Sequence, residues 1–439
     1  MSKLKYIQNF PFLILLLSPF LQGCKNNTQT PVLESHEINK VIDRMTDIMI
    51  HDITNPPLAA RFYAYACLAG YEVVVQHDTA FHTMKGVLND YPTIEKQTVS
   101  DAISYQMSAI LAMLETSKKM QPSGKLLDDY ETKWLDSCQN IGFSKQIIDN
   151  SLAYAKAIST QILAYAKADK YNRISNYPRY TPSNTEGSWY PTPPGYFAPV
   201  EPYFNTIRSF TLDSAHQFKP APPVAFSNNK NSDFYRLTNE VYAQKLTQEQ
   251  LEIAAFWDCN PFALQDNGHL MVGMKKISPG AHWMGIAGIA CEKEKSSFSK
   301  TLYVHTILAV GLMDGFICCW DEKYRSNRIR PETAIRKFID PNWKPFLQTP
   351  PFPEYLSGHS TISTTAAVIL SHLFGEKFTY QDTVEERFGL MARSYNSFKQ
   401  AADEAAISRL YGGIHFMDAI TNGQKQGVLV GNNVIKKCL

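Results

Sequence analysis

"PPFPEYLSGHSTIS", Pro350 to Ser363, changes character halfway along. Its prolines at 350, 351 and 353 hold the chain extended, because proline has no N–H to donate and biases the residue before it away from the helical region. From Ser360 the run STISTTAAVILSHLF continues without glycine or proline and reads as a helix. Ser357 and Gly358 then sit at its first turn, where unsatisfied N–H groups and the positive end of the helix dipole favour an anion. Gly358 lets the backbone come close to a ligand and Ser357 adds a hydroxyl donor. His359 follows, placed to exchange a proton with an oxygen of a bound group. A serine cap followed by a core-facing histidine reads equally well from this stretch alone.

Outward from this stretch, helical patterns dominate. LTQEQLEIAAFWD, TLYVHTILAVGLMDGFICCW and EERFGLMARSYNSFKQAADEAAISRLYGGIHF fill the chain from 234 to 439. Residues 33–170 read as a helical scaffold, with Asn55 as a helix cap, Pro56 and Pro57 in a first turn, and Ala59, Ala60, Ala64 and Ala66 permitting close helix approach. Between them, 171–233 is rich in Pro, Tyr, Phe and Asn and cannot sustain helices. Its aromatics, Trp189, Tyr190, Tyr196, Phe197 and Tyr203, lead us to expect an ordered loop at the entrance to a site. The fold class expected is all-α: packed helical bundles with a long Pro/aromatic-rich loop.

Charge is nearly balanced, 43 Lys plus Arg against 41 Asp plus Glu, so no global field argues for nucleic acid and any anion site must be local. Lys3 and Lys5 precede a short apolar stretch ending in LQGC, Leu21–Cys24. Residues 1–24 therefore read as a signal peptide whose Cys24 is lipidated, as in bacterial lipoproteins. The expectation is an exported, periplasmic or cell-surface lipoprotein, with no uninterrupted apolar run of about 18 residues later and a membrane contact only through the lipid. The seven remaining cysteines show no CxxC spacing, so neither a zinc site nor a disulfide framework is indicated.

Two further stretches suit a tetrahedral oxyanion. In KYRSNRIRP, Lys323 and Arg330 lie seven residues apart, about two helical turns, so both cations can reach from one face; Arg330 precedes Pro331, where the chain leaves the helix. In SRLYGGIHFMD, Arg409 offers a fork of donors matched to phosphate-like geometry. His415 follows after a Gly412-Gly413 pair as nucleophile or metal ligand, and Asp418 stands three residues on as its supporting carboxylate.

Together, Lys-x6-Arg-Pro, Ser-Gly-His and Ser-Arg-x5-His resemble the signature of the superfamily that joins vanadium-dependent haloperoxidases to type 2 phosphatidic acid phosphatases and bacterial acid phosphatases. The resemblance implies that Lys323, Arg330, Ser357, Gly358 and Arg409 hold the equatorial oxygens of vanadate or phosphate. It implies that His415 is the apical vanadium ligand, or the nucleophile of a phosphatase, and that His359 is the acid–base. PPFPEYLSGH is similar to the vanadium chloroperoxidase segment, which places Phe352 in a halide pocket, although Leu356 stands where a proline is common. The fold implied is vanadium chloroperoxidase-like. The activity implied is vanadate-dependent oxidation of halide by hydrogen peroxide, with a small organic acceptor for the product. An acid phosphatase cleaving a phosphate ester through a phosphohistidine is the alternative, and a non-catalytic ligand-binding lipoprotein the second alternative.

Overall fold

The computed structural model describes residues 31–97, 102–266, 271–274 and 276–439. The expected signal peptide, residues 1–24, and its Cys24 lie outside them. Thirteen α-helices are found among the described residues. The first half holds α1 (His36–His51), α2 (Pro56–Val75), α3 (Tyr105–Met120), α4 (Leu127–Asn140) and α5 (Lys145–Lys167). The second holds α6 (Asp233–Tyr242), α7 (Gln248–Phe256), α8 (Pro279–Lys293), α9 (Phe298–Ser326), α10 (Pro331–Phe338), α11 (Gly358–Phe374), α12 (Phe398–Tyr411) and α13 (Met417–Cys438). The strands described are two short antiparallel hairpins, β1 (Leu264–Asp266) with β2 (Met271–Gly273) and β3 (Tyr380–Asp382) with β4 (Arg393–Tyr395).

Side-chain caps set where many of these helices begin. Asn55 accepts from the Leu58 N–H at 2.9 Å and Pro56 fills the first turn of α2, where a missing donor costs nothing. Serines 104, 144, 232, 278, 297, 357 and 397 cap α3, α5, α6, α8, α9, α11 and α12 in the same way, and Thr247 with Gln250 forms a capping box on α7.

The main apolar core runs from Leu33 to Val434, so the two helical halves share it across α2 and α9, and a smaller cluster around Phe234, Ile335 and Phe416 lies apart from it. Helix α9 packs against α2, α8, α11 and α13. Both α2 and α9 are long and apolar enough to cross a membrane, a property the sequence reading missed because polar residues interrupt each run. Yet 89% and 94% of their apolar windows are buried inside the protein, as in core helices. Helix α13 meets α11 along Gly423, Gly427 and Gly431, one per turn. A Cβ on Gly427 would stand 2.5 Å from the Thr361 carbonyl oxygen.

Between α5 and α6 the chain holds only two 3₁₀ turns, Tyr171–Asn176 and Phe204–Thr206. It is tied down by hydrogen bonds to the segments it covers. Val200 donates to Pro351 O at 3.1 Å and accepts from the Trp320 indole at 3.1 Å and the Tyr324 hydroxyl at 2.6 Å.

Candidate active site

The cap of α11 presents Ser357, Gly358 and His359. Ser357 Oγ accepts from the Ser360 amide at 3.3 Å and the Ser360 hydroxyl at 2.8 Å, which leaves its own proton free to donate. Its amide is bound to Ala419 O at 3.2 Å, and this anchors the start of α11 on α13. A Cβ at Gly358 would meet only Trp320, at an ordinary 3.7 Å, so the space a glycine opens there faces the pocket. His359 lines that pocket, with the Trp257 backbone near its ring.

Lys323 and Arg330 do not share a helix face. Asn327 takes the left-handed conformation, φ 46°, and ends α9 after Ser326; Arg330 is the extended residue before Pro331, φ −81° and ψ 153°, at the start of α10. The two cations converge because the chain folds back. Arg330 Nε donates to Phe352 O at 2.9 Å and Nη1 donates to Ile414 O at 2.9 Å, lying 3.2 Å from His415 Nε2. The Lys323 ammonium donates to the carbonyls of Pro353, Glu354 and Leu356. Those contacts take all three of its protons, so it stands behind the pocket wall, 4.9 Å from the centre of the Phe352 ring.

Arg409, in the last turn of α12, donates from Nη1 to Trp257 O at 2.6 Å. Gly413, φ +74°, then turns the chain in a conformation other residues rarely adopt, and His415 enters just ahead of α13. Its Nδ1 lies 2.8 Å from Glu354 Oε1, which also accepts from the Phe416 amide at 2.9 Å.

That contact corrects the expectation for Asp418. The Asp418 carboxylate is turned to Arg328, accepting at 2.6 and 2.8 Å, and to the Val224 amide at 3.1 Å. Arg328 in turn donates from Nε to Glu354 at 2.6 Å. Asp418 therefore supports His415 only through Arg328 and Glu354. Glu354 was missed, although it is the one acid within PPFPEYLSGH and a carboxylate among prolines is a visible signal.

Each of the three stretches leaves one buried polar nitrogen without a partner: Arg330 Nη2, His359 Nε2 and Arg409 Nε. Such atoms are costly to bury unmatched, and here all three belong to residues grouped around His415. The hydrogen bonds that Arg330, Arg409 and Lys323 make are to neutral carbonyls and to the His415 ring; the nearby carboxylates are Glu354, held by His415 and Arg328, and Asp258, 4.0 Å from Arg409. Their positive charge is thus only partly compensated. Burial, with Arg330 nearby, pulls the Lys323 ammonium down to about 7. Burial and the neighbouring Arg409 bring Arg330 to about 9, still charged at neutral pH. Burial and the surrounding cations hold both His359 and His415 well below the usual imidazole range, so both rings are neutral. A cage of cations and neutral donors at a helix N-terminus fits a tetrahedral oxyanion.

The chain aligns with a solved structure of a bacterial vanadium-dependent iodoperoxidase at 44% identity and a TM-score of 0.87, over 93% of this chain and 97% of that one. It belongs to the vanadium-dependent haloperoxidases. Residues 303–439 match the family model described as the VCPO second helical-bundle domain. A bacterial vanadium-dependent chloroperoxidase shares the fold at 14% identity and a TM-score of 0.63, over 91% of this chain and 92% of that one. No match was found among curated protein sequences.

In this haloperoxidase the pocket walls are apolar: Pro56 of α2, Phe262, Phe316, Trp320, Phe352 and Ile414 surround His359, Arg409 and His415. Phe352 is thus where a halide pocket was expected. The long loop mostly braces the site from outside. Trp189 is buried, its amide bound to Asn327 O at 2.9 Å; Tyr190 and Tyr196 face solvent; Tyr203 packs on Tyr177. Phe197 is the aromatic of that set that reaches the wall, its ring centre 6.1 Å from that of Phe262.

Proposed function

We propose that the protein is a vanadate-dependent haloperoxidase that uses hydrogen peroxide to oxidise halide, with iodide as its halide. The observation that carries this reading is the convergence of three unpartnered buried nitrogens, one from each stretch, around one pocket. The iodide assignment leans on the iodoperoxidase that is 44% identical.

Vanadate bound there would supply a Lewis-acid centre that activates peroxide for two-electron oxidation of halide without changing its own oxidation state. The chain's residues do the rest. Arg330, Arg409, the free Ser357 proton and the amides at the start of α11 would hold the oxygens. Lys323 adds charge from behind Phe352. With Nδ1–H donated to Glu354, His415 presents Nε2 as an acceptor, which takes Arg330 Nη1–H at 3.2 Å here and would bind vanadium in its place. The neutral His359 ring, its Nε2 unpartnered, is placed to take a proton from peroxide and return it to the departing oxygen. The apolar walls exclude water, which strengthens each of these interactions.

Phosphate presents similar oxygens and should compete for the same donors. We further propose export as a Cys24-anchored lipoprotein; LQGC supports it, and metabolic labelling with palmitate, lost in Cys24→Ala, is the check. The function itself is tested by assaying peroxide-dependent iodide oxidation with vanadate and without it, alongside aryl phosphate hydrolysis in vanadate-free buffer. We expect oxidation only with vanadate, and inhibition by phosphate. Phosphate ester hydrolysis with no halide oxidation at any vanadate loading would establish the phosphatase instead.

A further inference from the structure

Beside the pocket, whose lining includes Cys259, four buried side chains from sequence-distant segments meet. Cys259 follows the end of α7, His282 lies on α8, Asp382 ends β3, and Glu385 sits in the 3₁₀ turn Val384–Phe388. His282 Nε2 is 2.7 Å from Asp382 Oδ2. On the other side of the ring, Nδ1 is 3.1 Å from Glu385 Oε1 and 3.6 Å from Cys259 Sγ, and the thiol donates to Glu385 at 3.8 Å.

We propose that Cys259, His282 and Glu385 form a zinc site, with Asp382 fixing the histidine from outside. The spacing is the first argument. Zinc bonds of about 2.3 Å to sulfur and 2.0–2.2 Å to nitrogen and oxygen make tetrahedral edges of about 3.4–3.6 Å. The three donor atoms stand at 3.1, 3.6 and 3.8 Å, so small side-chain adjustments admit the ion. The second argument is the far side of the ring. A zinc-bound histidine commonly donates its other N–H to a carboxylate, as His282 does to Asp382.

Binding Zn²⁺ would displace the thiol proton, leaving a zinc-bound thiolate, with the imidazole bonded to zinc through Nδ1 and its Nε2 held by Asp382. Three protein donors leave the fourth position to water.

The site also has a route to the pocket. The Trp257 ring stacks on His282 with centres 4.5 Å apart, and the Trp257 carbonyl accepts from Arg409 at 2.6 Å. Zinc would therefore position the residue that holds Arg409; this link rests on the oxyanion reading of the pocket, whereas the metal measurements below do not. Cysteines without CxxC spacing gave no hint of it, because the ligands are gathered by the fold from segments up to 126 residues apart.

The test is metal content and spectrum. Protein is produced in zinc-limited medium with added zinc or cobalt, and bound metal is counted by mass spectrometry. About one ion per chain is expected, with a thiolate-to-cobalt charge-transfer band that Cys259→Ser abolishes and Cys318→Ala, another buried thiol, retains. Asp382→Asn should weaken zinc about 10–100-fold while leaving the band. Calorimetry in buffers of different ionisation enthalpy should report proton release on zinc binding as the Cys259 thiol becomes a thiolate. A folded wild-type protein with substoichiometric metal, or a band unchanged in Cys259→Ser, would overturn the proposal and leave a hydrogen-bonded polar cluster in its place.

Discussion

Glu354 lies 61 residues from His415 and yet decides which of its ring nitrogens is free, since it accepts from Nδ1 and is itself held by Arg328. Glu354→Gln should keep the fold but loosen that arrangement, weakening vanadate binding about 10–100-fold in a direct titration. Arg409→Ala strips a charge-assisted donor from the cage and should cost about 2 kcal/mol of oxyanion affinity by calorimetry; unchanged affinity would exclude Arg409 from it. Lys323 predicts a pH dependence. Burial brings its ammonium to about 7 in the anion-free site, and a bound oxyanion favours the charged form and raises that value. Below pH 7 the proton is already present; above it, binding must take one up. Affinity for tungstate, whose own charge is constant near neutrality, should therefore fall as pH rises past about 7, with proton uptake visible across buffers. A flat profile would show that Lys323 is not felt in the pocket.

At the level of elements, the start of α11 was readable because a proline-rich approach, a Ser cap and a glycine-free run agree on one boundary. The Lys323–Arg330 spacing misled for an equally physical reason. Seven residues imply one face only if the helix continues, and Asn327 in the left-handed region ends it. Asp418 was misplaced because spacing along α13 says nothing of Arg328, which arrives from 90 residues away and claims the carboxylate. Helix α11, which carries His359, packs against α13, which begins two residues after His415. Gly427→Ala would push a Cβ toward the Thr361 carbonyl, a backbone atom that cannot turn aside. We expect a loss of about 1–3 kcal/mol in stability, read as a lower melting temperature, together with weaker vanadate binding. A variant as stable as wild type would show that the helices can separate freely.

Across the whole molecule, the all-α class followed from periodicity alone, but the main core shared by the two halves did not, because only packing reveals that α2 and α9 are each other's partners. The same packing carries Pro56 of the first half into the wall of a pocket built by the second. The cage residues were found by three short stretches acting together. What brings them to one point is the turn at Asn327, the reversal at Gly413 and the cap of Ser357 on Ala419, none of which the spacing specifies. The claim that these residues form one vanadate cage is tested most directly by a crystal structure of vanadate-loaded protein, with vanadium located by its anomalous scattering. The account predicts one peak within bonding distance of His415 Nε2, its oxygens within hydrogen-bond reach of Arg330 Nη2 and Arg409 Nε. A protein that binds vanadium elsewhere, or none at saturating concentration with Arg330 and Arg409 still unpartnered, would contradict it.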